Sequence, residues 1–232
     1  MPRYKAPRII GGILKLIVTA LIALVVGTVI WRVFFSAKIP SEVKYLQKND
    51  ILSAAYAEND GNLTFRRQEQ ASITKAEKNY GYFSVVDCVF IPEASQVQLV
   101  FRYNNSTIRH LAEDYGLEEI PAKSEELFEV TLLRTTDLTP ENTEDNGDPS
   151  TLKKERIRAT SSVRAETQLY TFYRYVFDGV TVEDVTDGVF ADVYWLGDIN
   201  YDADAYGTLC LYANGDEWID RALSSGDRKA FQ

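Results

Sequence analysis

At 232 residues, with 45% hydrophobic and 12% aromatic content, the chain can fill a packed core, which excludes disorder throughout. Charge is unevenly placed: five basic and no acidic residues lie in the first 35 positions, leaving 20 basic against 34 acidic groups from Ser36 onward, a net charge of −14. So acidic a portion repels phosphate backbones, which argues against nucleic acid as a partner.

A short basic tail (1–8) precedes "IIGGILKLIVTALIALVVGTVIWRVFF", residues 9–35. As a helix these 27 residues rise about 40 Å, more than the roughly 30 Å hydrocarbon slab, and predict a transmembrane segment in contact with membrane lipid. Lys15 and Arg32 sit where long side chains reach the headgroups, and Trp31 suits an interfacial anchor. A cleavable signal peptide is the competing reading; the apolar run is too long for it, and Phe35 precedes the best small-residue site, Ser36-Ala37. Arg3, Lys5, Arg8 and Lys15 before the core outnumber Arg32, Lys38 and Lys44 after it, which predicts an inside N-terminus and an extracytoplasmic C-terminal portion in the cell membrane.

Residues 36–79 read as a membrane-proximal region with one or two short helices, started by Pro40-Ser41 and ended at Asp60-Gly61, with Leu63 and Phe65 opening a short strand. From Tyr80 the period becomes two. "YGYFSVVDCVFIP" and "QVQLVFRYN" predict a hairpin with Phe83, Val85 and Val89 on one face and Val97, Leu99 and Phe101 on the facing strand. "STIRHLAEDYGL" predicts a turn or two of helix and "ELFEVTLLRTT" a third strand, followed by the acidic loop "DLTPENTEDNGDPSTLKKE". "RIRATSSVR", "TQLYTFYRYVFDG", "GVFADVYWLGD" and "YGTLCLYAN" read as strands four to seven. Seven short strands over 80–214 predict a mainly β domain, an immunoglobulin-like antiparallel β-sandwich with minor helices. The tail (215–232) predicts a short helix over Asp216 to Leu223, ended by Gly226.

The run "GYFSVVDCVFIPEASQVQLVFRYNNST", through Phe90 to Glu93, Gln96, Gln98 and Arg102 to Thr107, resembles a segment of uncharacterised single-pass membrane proteins of Gram-positive bacteria. That resemblance implies a sandwich outside the membrane and implies no activity.

The only constellation with the look of site chemistry is "LGDINYDADAYG", which places Asp198, Asn200, Asp202 and Asp204 at alternate positions. D-x-N-x-D supplies positions 1, 3 and 5 of a calcium loop, as in "GDIN" openings of dockerin modules. The match then fails, with Ala203 where the sharp turn needs Gly and Leu209 where a bidentate acid belongs. The competing reading is a polar strand connection whose Asp and Asn side chains satisfy their own backbone. The aromatic run Tyr170 to Phe177 offers a stacking platform on paper, with Tyr173, Tyr175 and Phe177 on one face and Tyr170, Phe172 and Val176 on the other; strand packing explains it equally.

Enzyme chemistry is poorly supplied. The single histidine, His110, sits in a surface-like turn without a nucleophile elbow, and P-loop, GxGxxG and HExxH motifs are absent from the sequence. Cys88 and Cys210 have no CxxC partner, and their apolar settings fit either a disulfide or two buried thiols. These features predict a non-enzymatic binding or scaffold module for an envelope protein or glycan. A calcium-stabilised adhesion domain is the first alternative, and an envelope hydrolase using paired carboxylates the second.

Overall fold

The computed structural model describes residues 6–36, 38–67, 83–114, 116–122, 126–136, 153–186, 189–195, 207–212, 219–221 and 226–227. Helix α1 (Ala6–Ser36) contains a 22-residue span, Gly11–Arg32, of mean hydropathy 2.7, none of it covered by other parts of the protein. It is long and apolar enough to cross a membrane. Its polar groups are satisfied internally, Thr19 and Thr28 donating to the carbonyls of Lys15 and Leu24 at 2.9 and 2.8 Å.

Beyond it the chain forms two antiparallel sheets. Strands β1 (Phe65–Arg67), β2 (Phe83–Ile91) and β3 (Gln96–Asn104) lie in the first sheet. The second holds β4 (Phe128–Thr136) and β5 (Lys153–Arg158). The chain then returns to the first sheet for β6 (Ser161–Glu166) and β7 (Tyr170–Asp178), and to the second for β8 (Val189–Trp195) and β9 (Gly207–Tyr212). With β10 (Ile219–Arg221), the first sheet has the order β10-β1-β2-β3-β7-β6, and the second β5-β4-β8-β9. Short helices α2 (Ser41–Lys44), α3 (Asp50–Glu58), α4 (Thr107–Asp114) and α5 (Val182–Thr186) fill the connections.

The sheets pack face to face across one apolar layer. Phe83, Phe101, Tyr103 and Tyr175 from the first meet Phe128, Val130, Leu132 and Val193 from the second. Phe128 is the hub, edge-on to Phe83 and to Tyr103 with centroids 5.1 Å away in both cases, an arrangement aromatic quadrupoles favour. Tyr175 Oη donates to the Phe128 carbonyl at 3.3 Å and so joins the sheets by a polar bond as well. The aromatic run of β7 divides as its period requires: Tyr173, Tyr175 and Phe177 enter this core, and Phe172 and Val176 are buried on the opposite face.

Three expectations change. Val89 does not share a face with Phe83 and Val85, because the register of β2 slips between Val85 and Asp87. The extra residue turns Cys88 and Phe90 into the core and puts Val89 in a second apolar cluster on the outer face, as a β-bulge must. "RIRATSSVR" is not one strand: the chain breaks at Ala159-Thr160 and passes from β5 in one sheet to β6 in the other. Both are edge strands bearing charged residues, Lys, Arg and Glu in β5 and Arg164 and Glu166 in β6, which discourages pairing with other chains. Residues 219–221 of the expected tail helix form β10, paired to β1 through Phe65↔Arg221, so pairing partners outweigh local helical pattern. The described residues therefore hold eight strands within 80–214, where seven were expected, and the short strand expected at Leu63 and Phe65 is β1.

Candidate functional site

Much of the outer face of the six-stranded sheet is covered among the described residues. Residues 38–58, which follow α1 in the chain, lie across it as a strap. Val43 packs on Val100 and Phe172, while Leu46, Leu52 and Ala55 cover Phe65, Val89 and Ile91. This explains why β2 ends in the unbroken apolar run "CVFI": both of its faces are covered.

Polar side chains of the sheet grip the strap by its backbone. Gln98, fully buried, accepts from the Gln47 N–H at 2.9 Å and donates to the Gln47 carbonyl at 2.8 Å. Arg174, also fully buried, donates from Nε to the Val43 carbonyl at 2.8 Å and from Nη2 to the Lys44 carbonyl at 2.9 Å. Asp227 accepts from the Leu46 N–H at 2.9 Å. Gln96 donates to Asp178 at 2.7 Å and to Asn49 at 3.2 Å; Asn49 in turn caps α3 by accepting from the Leu52 N–H at 2.9 Å.

The charges alternate. Arg174 meets Asp87 at 2.9 Å, Asp87 meets Arg67 at 2.7 Å, and Arg67 meets Asp227 at 3.1 Å, so four ionised groups sit beneath the strap with no net charge. Burial pulls the Arg174 pKa down, and the Asp87 carboxylate opposes that shift. Neighbouring Cys88 is a free buried thiol whose pKa is pushed up to about 12, by burial first and by the Asp87 charge second. Such a thiol is a poor nucleophile.

The chain matches no family model, no curated protein and no solved structure.

Among the described residues, grooves open at several places. One of about 520 Å³ lies between the start of the strap and edge strand β6, lined by Lys38, Glu42, Lys44 and Arg164 among others. A second, about 540 Å³, lies beside α4 and contains His110, whose Nδ1 is 3.4 Å from Glu113. His110 is 41% exposed, as its surface-like setting predicts. A third, about 360 Å³, lies at the mouth between the sheets, beside Glu126, Glu129 and Tyr175.

Asp198, Asn200, Asp202 and Asp204 fall outside the described residues, as does the side chain of Cys210. Among the described residues no cluster of three or more His, Cys, Asp or Glu side chains can hold a metal ion. Sequence reasoning missed Gln96, Gln98, Arg174, Asp87, Arg67 and Asp227 as a unit, because polar residues alternating with apolar ones read as a solvated face. The available signal was Gln-x-Gln followed by Val100 on that face, and Arg174 inside an otherwise aromatic run.

Proposed function

We propose that this protein is a single-pass membrane protein whose two-sheet domain stands outside the cytoplasm, close to the bilayer, as a non-enzymatic binding or scaffold module for an envelope partner. The observation that carries this reading is the strap. Directly after an apolar helix of membrane-crossing length, the chain is gripped at Val43, Lys44, Leu46 and Gln47 by buried side chains of the sheet. A long flexible stalk would serve reach; a gripped strap serves fixed placement. Two antiparallel sheets packed face to face support a sandwich of immunoglobulin-like type. The basic residues ahead of the apolar core favour an inside N-terminus, and the −14 charge from Ser36 onward disfavours nucleic acid.

The test is made on the full chain in cells of a Gram-positive host. The expected result is a protein that resists alkaline extraction from membranes, loses its C-terminal domain to protease added outside, and crosslinks to an envelope component. Extraction at alkaline pH or a protease-protected domain overturns the topology, and turnover of an envelope glycan or peptide by the purified chain overturns the binding role. A thermal midpoint indifferent to calcium and chelator is expected; a calcium-dependent rise would make Asp198 to Asp204 a metal site and favour adhesion.

A further inference from the structure

We propose that the groove between the strap and β6 binds the phosphate headgroup of an anionic lipid in the leaflet from which α1 emerges. The inference rests on reading α1 as membrane-spanning, and three observations carry it.

The first is position. The apolar span ends at Arg32, and α1 continues four residues to Ser36, a rise of about 6 Å. Lys38 follows two residues later, adding at most about 7 Å. The headgroup layer is itself some 5–8 Å deep on each side, so Lys38 and its groove stand at its outer margin. Gripping of Val43 by Arg174 keeps the domain there.

The second is charge. In a portion carrying −14 overall, three cationic side chains, Lys38, Lys44 and Arg164, line this one groove. Its carboxylates are already engaged: Glu166 with Arg164, and Glu42 with the Ser41 hydroxyl at 3.2 Å. The Ser41 hydroxyl is neutral, so Glu42 offsets one lysine and the lining sums to one positive charge, presented by exposed Lys38 and Lys44.

The third is size and composition. About 520 Å³ takes a phosphate with its glycerol, and Ile39, Pro40 and Tyr45 supply an apolar wall for the glycerol carbons. A negatively charged domain placed this close to an anionic surface is repelled by it, and a cationic groove at the contact offsets that repulsion.

The test compares thermal midpoints of the full chain in nanodiscs of phosphatidylcholine with and without phosphatidylglycerol. Phosphatidylglycerol is expected to raise the wild-type midpoint by about 2–4 °C, and the double variant Lys38→Gln/Lys44→Gln to lose most of that rise. Lys48→Gln, exposed on the strap but outside the groove, should keep it. Four results overturn the proposal: no dependence on phosphatidylglycerol, an unchanged rise in the double variant, an equal loss in Lys48→Gln, or the same rise from soluble glycerol phosphate in phosphatidylcholine discs. Failure of the wild-type chain to enter either disc overturns the membrane reading of α1 itself, a separate outcome.

Discussion

Gln98 holds the backbone of Gln47 by both ends of its amide, accepting the N–H at 2.9 Å and donating to the carbonyl at 2.8 Å, as a neighbouring strand would. A side chain thus replaces a rung of sheet pairing for a segment that is not a strand. Gln98→Leu keeps the volume and strands both backbone groups of Gln47. It is expected to cost about 1–3 kcal/mol, read by chemical denaturation, with faster proteolysis within 38–49. A stability within 0.5 kcal/mol of wild type, roughly the size of a neutral surface change, would show that the strap is held by apolar contacts alone.

Arg174 makes three hydrogen bonds to three different groups: the Val43 and Lys44 carbonyls and the Asp87 carboxylate. Arg174→Ala leaves those acceptors buried and is expected to cost about 3–5 kcal/mol. Arg174→Lys should recover little, because one ammonium lacks the planar fork that spans these positions. Denaturation midpoints of the two variants check this, and a lysine variant as stable as wild type would contradict it.

Stability should fall as pH rises above about 9. Below 9.0, the ordinary thiol value, Cys88 is protonated in folded and unfolded chains alike and contributes no pH dependence. Above it the unfolded thiol loses its proton while the folded one keeps it up to about 12, so the unfolded state gains by up to about 1.4 kcal/mol per pH unit. Tyr173 and Tyr175, both raised by burial from 10.0, act in the same direction at higher pH. Cys88→Ala should remove its share of the slope, so that wild-type and variant stability curves converge or cross between pH 9 and 12. Parallel curves would refute the assignment.

The bulge in β2 makes a geometric prediction. Deleting Val86 removes the extra residue, so that plain alternation now keeps Phe83, Val85, Cys88 and Phe90 inside and Asp87 and Val89 outside, with every pairing to β3 unchanged. Cooperative unfolding of the deletion variant is expected to be retained, and its loss would show that the bulge does more than set the register. Val86→Thr, which keeps the count and changes one half-buried side chain, should cost no more than about 1 kcal/mol. Calorimetry of both variants distinguishes register from composition.

Legibility followed the range of the interactions. The apolar helix, the β2–β3 hairpin and the two faces of β7 were readable because each depends on a pattern carried by one continuous stretch of chain. The bulge was not, since Val85-Val86 fits a strand in either register and only the partners Phe101 and Val100 decide it. The crossover at Ala159-Thr160 was missed because neither Gly nor Pro marks a break there, although the run Thr160-Ser161-Ser162 was a loop signal in its own right. The strap's grip was hidden for a different reason: Gln98 and Gln47 are 51 positions apart, and Arg174 and Val43 are 131 apart. Alternation tells which residues leave the core; it does not tell what waits for them outside it.

The bond from the Leu46 N–H to Asp227 joins positions 181 apart, nearly the whole length of the domain. On the ribosome Leu46 is among the first residues of the domain to be made, and Asp227 among the last. The contact order this implies makes closure slow and late. The stretch that follows α1 therefore waits, unsheltered, while the sheet that will receive it is still being synthesised, and the domain seals from its end back to its beginning.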